Sequence, residues 1–304
     1  SSFMTVGTVG GSLAAALATV FLVPYAENNG YLKAAIIVAV VSFLAMSLIS
    51  LFGKERYKVK EEVLEKPASL RDTWEYLIHN KYLLYFYAYR MISGSIAVSM
   101  LIYVAKYCLG DVKYMSMVVA ISVIPICILF LFSGKIFKRF DKIVVYRFCM
   151  IATILMNAIT LFVGYQNRTL AIACLVVIAV LAILPSILMG AIPQDCVEYG
   201  TYKTETRKEG ITFALQTFAN KLTAAVATII TGGVLTFVGY DVAAEKAATE
   251  AHKVVEIAVS QATVSGMWKA SFIVPIIGQL LAIGFLFAYN LSLIHISEPT
   301  RLGM

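Results

Sequence analysis

Residues 169–193 read TLAIACLVVIAVLAILPSILMGAIP, twenty-five positions without one charged side chain. A helix rises about 1.5 Å per residue, so roughly 20 apolar residues suffice to cross the hydrocarbon core of a bilayer. Seven further windows have the same character: 3–24, 31–52, 82–104, 112–132, 144–165, 212–238 and 267–289. The whole chain agrees with them. Its 304 residues are 60% hydrophobic and 14% charged, with a mean hydropathy of +0.82, whereas a soluble domain carries about a quarter charged residues. Soluble domains and a disordered tail are excluded. The sequence predicts an all-α polytopic membrane protein with eight transmembrane helices.

The net charge of +7 could suggest nucleic acid, but the placement of the charges argues for topology instead. The connections after the second, fourth and sixth windows hold fourteen basic residues: Lys54, Arg56, Lys58, Lys60, Lys66, Arg71, Lys81, Lys135, Lys138, Arg139, Lys142, Lys203, Arg207 and Lys208. The alternate connections hold four, Lys106, Arg168, Lys246 and Lys253. Lys and Arg accumulate in cytoplasmic loops, so the first set is expected inside the cell. A multi-pass protein of the cell (inner) membrane is expected, with the lipid bilayer as its surroundings and no nucleic acid as a partner.

Two connections are long. Residues 53–81 form a mixed-charge linker that divides the chain into the pair of helices at 1–52 and six helices at 82–290. Residues 239–266 contain an Ala-rich stretch expected to be helical and to lie along the interface. The chain opens on Ser1 rather than Met, and LSLIHISEPTR at 291–301 resembles a translated sequencing-library adaptor. The natural start is expected to be missing, with 291–304 an artefact. The five cysteines are widely spaced with no CxxC, which suits small buried hydrophobes. The three histidines have no metal-ligand neighbours at helical spacing, so neither a metal nor an organic cofactor is expected.

No acidic residue lies in any of the eight windows, and two basic ones lie deep within them, Arg90 and Lys221. Arg90 could extend its stem to the inner surface. Lys221 sits in ITFALQTFANKLTAAV, far from both ends of its window. A lysine at such depth costs roughly 2.5–3.5 kcal/mol unless it faces a wet cavity or a partner. Thr217 and Asn220 share its helical face, and Gln216 lies on its shoulder. A polar stripe on an apolar helix fits a hydrated substrate path, the alternative being a purely structural lysine. A second constellation is PQDCVEYGTYKTETRKEGIT at 193–212. There Asp195 and Glu198 share a face at i, i+3, and Arg207 follows beyond a short turn. Such charges can form pairs that break and re-form during a rocking motion, or can simply be a solvated loop. GKIFKRFDK at 134–142 is weak alone.

The block from Asp195 to Gly210, followed by Gln216, Thr217 and Lys221, resembles the glycoside–pentoside–hexuronide:cation symporter family of melibiose permease-like carriers, within the major facilitator superfamily. LFGKERY at 51–57 and HNKYLL at 79–84 are similar to family segments, and GKIFKRFDK to a superfamily loop motif. The chain departs from the pattern at Tyr202, Glu205 and Tyr82. The resemblance implies a twelve-helix carrier of which this chain holds helices five to twelve. It implies that the cation-binding carboxylates and much of the sugar site lie in the first four helices.

On this reading the protein is a secondary active symporter of a sugar, glycoside or sugar acid, coupled to Na⁺ or H⁺ by alternating access. Lys221, Thr217, Gln216 and Asn220 would contact substrate or cation, and Asp195, Glu198 and Arg207 would form an inner gate. A lipid carrier of the same fold is the alternative. An integral-membrane enzyme would need paired carboxylates, a His cluster or a nucleophile–base pair at membrane depth, and the windows show none. A structural subunit would not explain Lys221.

Overall fold

The computed structural model describes residues 21–22, 25, 30–52, 70–96, 100–204, 209–241 and 259–289. The first window, most of the 53–81 linker, Glu205, Arg207, the Ala-rich stretch and the 291–304 tail lie largely or wholly outside them. The described residues are helical, with no strand among them. They fall into two compact units, 1–73 and 74–304. In the first, α1 (Tyr31–Phe52) carries an apolar, largely exposed surface.

The second unit opens with the last turns of α2 (Leu70–His79), followed by α3 (Lys81–Ser95). The short α4 (Leu101–Tyr103) runs into a π-helical turn, Val104–Cys108. Then come α5 (Lys113–Arg139), α6 (Lys142–Val163), α7 (Arg168–Leu181), α8 (Ile183–Thr204), α9 (Glu209–Phe237) and α10 (Gln261–Ala288). Helix α10 packs along α3 and α6, α9 along α3, and α7 between α5 and α6. Among the described residues, five segments are long and apolar enough to cross a membrane: Lys113–Arg139, Lys142–Val163, Arg168–Thr201, Gly210–Phe237 and Gln261–Ala288. Their outer faces are apolar, as Phe162 at 88% and Phe237 at 92% exposure show. The chain is a multi-pass membrane protein.

Two windows depart from the continuous helices expected. The 82–104 window is interrupted: α3 ends at Ile96, and a π turn replaces the regular helix after Tyr103. The 169–193 window is two helices joined at Ala182. Proline 185 accounts for the joint. It has no N–H to give Leu181, and its ring crowds that carbonyl, so α7 ends at Leu181. Pro125, Pro193 and Pro275 lie inside their helices without ending them, as neighbouring segments in a bundle allow.

The interior is divided between two aromatic-rich clusters. One, at the end carrying Lys142 and Asp195, gathers Tyr76, Phe86, Tyr89, Tyr146, Leu188 and Tyr289. The other, at the opposite end, gathers Met100, Val104, Leu175, Tyr240, Trp268 and Phe272. Most hydroxyls within the helices bond the carbonyl one turn back: Ser122 to Val118, Thr153 to Cys149, Thr160 to Met156 and Ser271 to Met267. Lipid offers no alternative partner, so a helix satisfies these groups internally. Cys108, Cys149 and Cys196 are buried free thiols, and Cys127 and Cys174 are half-buried, as their apolar settings predicted.

Candidate substrate and gating site

Helix α9 carries the polar stripe. Phe213, Thr217, Asn220, Lys221 and Ala224 are all exposed, on the face that no described helix covers. The Thr217 hydroxyl donates to the Phe213 carbonyl at 2.9 Å and keeps its lone pairs for a ligand. Among the described residues no carboxylate lies within ion-pair distance of Lys221; the pairs there are Lys113–Asp111 and Lys142–Asp195. Lys221, Thr217 and Asn220 are thus brought together on one face.

Gln216 is placed differently. Its Nε2 donates to the Met189 carbonyl of α8 at 3.1 Å. That carbonyl is one that position 193, being proline, leaves without its helical donor. The glutamine therefore ties α9 to the proline-weakened turn of α8. Sequence spacing placed it beside the lysine; the freed carbonyl gives its amide a partner on another helix.

The gate residues also separate. Asp195, on α8, receives Lys142 Nζ on both oxygens, at 2.7 and 2.8 Å. Lys142 opens α6, whose N-cap Asp141 accepts from the Ile143 N–H at 2.9 Å. The pair is partly withdrawn from solvent, with side-chain exposures of 34% for the lysine and 17% for the aspartate. Glu198 is exposed, and Arg207 lies outside the described residues. The counter-ion of Asp195 is thus the last residue of the GKIFKRFDK segment, 53 positions away in sequence.

Around this pair the same end is closed by buried polar contacts that spacing did not reveal. Asn80 caps α3 by accepting from the Leu83 N–H at 3.2 Å and donates to the Cys196 carbonyl at 2.7 Å. Tyr87 donates to the Thr212 carbonyl at 2.9 Å, and the Thr212 hydroxyl meets Tyr76 Oη at 3.3 Å. Gly200 is required by this packing: a Cβ there would stand 2.6 Å from Tyr76 Oη and 2.9 Å from Asn80 Nδ2. Arg147 donates to the carbonyls of Leu286, Phe287 and Tyr289, satisfying the C-terminal end of α10. The signals were available in part: Asn80 precedes an apolar run as an N-cap residue does, and Arg147 lies at the edge of its window.

A separate groove of about 560 Å³, between α5, α6 and α7–α8, is lined by Leu129, Ile136, Phe140, Phe148, Leu181 and other apolar residues. It offers a sugar no hydrogen bonds.

Comparison with known proteins places these features in a family. Residues 1–292 match the family described as MFS/sugar transport protein. A protein of Escherichia coli (strain K12) named "Putative sulfoquinovose importer" is 27% identical over 267 residues, 86% of this chain and 54% of that protein. Its namesake in Salmonella typhimurium is likewise 27% identical, over 86% of this chain and 53% of its own length. "Uncharacterized symporter YjmB" of Bacillus subtilis (strain 168) is 30% identical over 62% of this chain and 41% of its own. The chain spans about half the length of the curated relatives it matches. The helical architecture, the apolar exterior and the match over nearly the whole chain agree with the resemblance read from residues 195–221, and the chain belongs to the MFS/sugar transport protein family.

Proposed function

We propose that residues 1–290 supply helices five to twelve of a secondary active symporter that carries a sugar, glycoside or sugar acid with Na⁺ or H⁺. The observation that carries this reading is the α9 stripe. An ammonium stands near the middle of a membrane-length helix, flanked on its exposed face by Thr217 and Asn220. An arrangement of that kind costs insertion energy unless anionic or hydroxyl-rich groups meet it. The relatives' names, importer and symporter, favour transport over an integral-membrane enzyme, and "sulfoquinovose" in one of them favours a sugar that bears an acid group.

In this reading the α5–α6 and α8–α9 connections are cytoplasmic, because their Lys and Arg exceed those of the alternate loops. The Lys142–Asp195 pair would then lock the inner end while the cavity opens outward, with Glu198 and Arg207 available for exchange as it rocks. Lys221 would face the substrate and coupling-ion sites, part of which the remaining helices supply.

Ala224 shares the stripe and is small and exposed, so it can report on occupancy. In a full-length Ala224→Cys variant, maleimide labelling should slow at least about threefold in saturating transported sugar. An unchanged rate under saturation would show that the stripe faces away from the substrate.

A further inference from the structure

The groove between α5, α6 and α7–α8 is apolar along its length and basic at one end. On α5 it runs from Leu129 to Phe140, a rise of about 16 Å, close to the depth of one leaflet when the hydrocarbon core is roughly 30 Å thick. Its deep end lies where Val180, Leu181 and Leu184 flank the joint at Ala182. Val144 and Phe148 of α6 are exposed along its open side. A sugar or an ion loses its hydration in such a space and gains no partner, whereas an acyl chain loses nothing there.

The basic end is built from the last turns of α5. Lys135 and Arg139 stand there at i, i+4, both exposed. Like charges at that spacing repel, and among the described residues neither has an ion-pair partner. Asp141, the nearest acid in sequence, accepts instead from the Ile143 N–H at 2.9 Å. Each cation lies over an aromatic ring: Lys135 Nζ is 5.3 Å from the Phe132 centroid, and Arg139 Cζ is 5.8 Å from that of Phe140. Phe140 is itself a wall of the groove, which puts the guanidinium at its mouth. The neighbouring cations are otherwise placed. Lys138 is on the side of α5 opposite Ile136, and Lys142 is engaged by Asp195.

We propose that the groove binds a phospholipid with a negatively charged headgroup, its acyl chain along Ile136, Phe148 and Leu184 and its phosphate at Lys135 and Arg139. The match is one of polarity and charge, a hydrocarbon body ending in an anion against an apolar groove ending in two unneutralised cations. The chain itself selects little, because it leaves one apolar setting for another. Selection comes from the headgroup: each basic residue near an anionic lipid surface is worth several-fold in affinity, and the guanidinium fork matches two phosphate oxygens at once. A free phosphate would leave the groove unused, and a second copy of the chain would have to bring a carboxylate to the mouth. The proposal needs only the membrane character of the chain and is independent of its cargo.

The test is native mass spectrometry of the delipidated full-length protein in neutral detergent. The probes are phosphatidylglycerol, phosphatidylcholine with the same chains, and glycerol 3-phosphate. Wild type should bind phosphatidylglycerol roughly twentyfold more tightly than phosphatidylcholine, the product of two such cations. The double variant Lys135→Gln, Arg139→Gln should lose at least about fivefold of that preference, and Lys138→Gln should change it by less than about twofold. Val144→Trp should weaken both lipids while keeping the headgroup preference, and unchanged helical content in each variant separates these effects from misfolding. Equal binding of the two lipids by wild type, or a preference that survives in the double variant, overturns the site. So does glycerol 3-phosphate binding as tightly as phosphatidylglycerol, which would mark an anion site without a lipid chain. A dimer whose formation excludes both lipids overturns it as well, since the groove would then belong to a second copy. None of these results bears on the transport reading.

Discussion

Replacing Lys221 by alanine in the full-length protein is expected to abolish cation-coupled sugar uptake while the protein still reaches the membrane at wild-type level. Helix α9 runs from Glu209 to Phe237, which puts Lys221 about 18 Å along its axis from one end. A lysine so placed costs roughly 2.5–3.5 kcal/mol on insertion scales, and its removal should not impair insertion. On the proposed function, what is lost is the positive charge that would balance anionic groups of the substrate or coupling-ion site. Carboxylates left facing one another would rise in pKa and hold a cation less well. Lys221→Arg should also fail, because a planar fork cannot occupy the place of a compact ammonium. Lys106, exposed on the π turn beside Tyr107, is the control, and its replacement should be mild. Normal uptake with unchanged cation dependence in Lys221→Ala would make the lysine structural.

The second large effect concerns the Lys142–Asp195 pair. Reversing either charge alone should reduce uptake at least about tenfold, and exchanging both, Lys142→Asp with Asp195→Lys, should restore a substantial part. Removing one partner of a poorly solvated pair strands the other, at a cost of about 3–5 kcal/mol when burial is complete. The partial exposure of both side chains reduces that cost, and two like charges facing each other add repulsion in the single reversals. Uptake measured alongside surface expression separates a gating defect from misfolding. Equal loss in the single and double variants would show that the pair's orientation, rather than its attraction, is required.

The membrane character of the chain and most of its helices were legible in the apolar windows because lipid enforces them: backbone groups must pair within each segment. Lys221 stood out for the same reason. Less legible were the features that depend on contacts between segments. Proline 185 was visible in the sequence, but its effect depends on whether neighbouring groups tolerate the freed Leu181 carbonyl, and here the helix ends. Asp195 carried a readable neighbour in Glu198, yet its bonded partner is Lys142, in another connection. Helical spacing reports only groups three or four residues apart. Gln216 illustrates the same limit. Its position beside Lys221 is a property of α9, while its bond to Met189 depends on a proline in α8. Arg90 was ambiguous because a long side chain can lie either way along its helix, and Gly94 gives it room on the side away from Lys81.

The central claim, that the full-length protein couples sugar movement to a cation gradient, is tested most directly in sealed vesicles containing it. With an inward Na⁺ or H⁺ gradient, labelled sugar should accumulate above its external concentration, and an ionophore that dissipates the gradient should collapse the accumulation. Sugar that merely equilibrates, at a level indifferent to either gradient, would contradict the account.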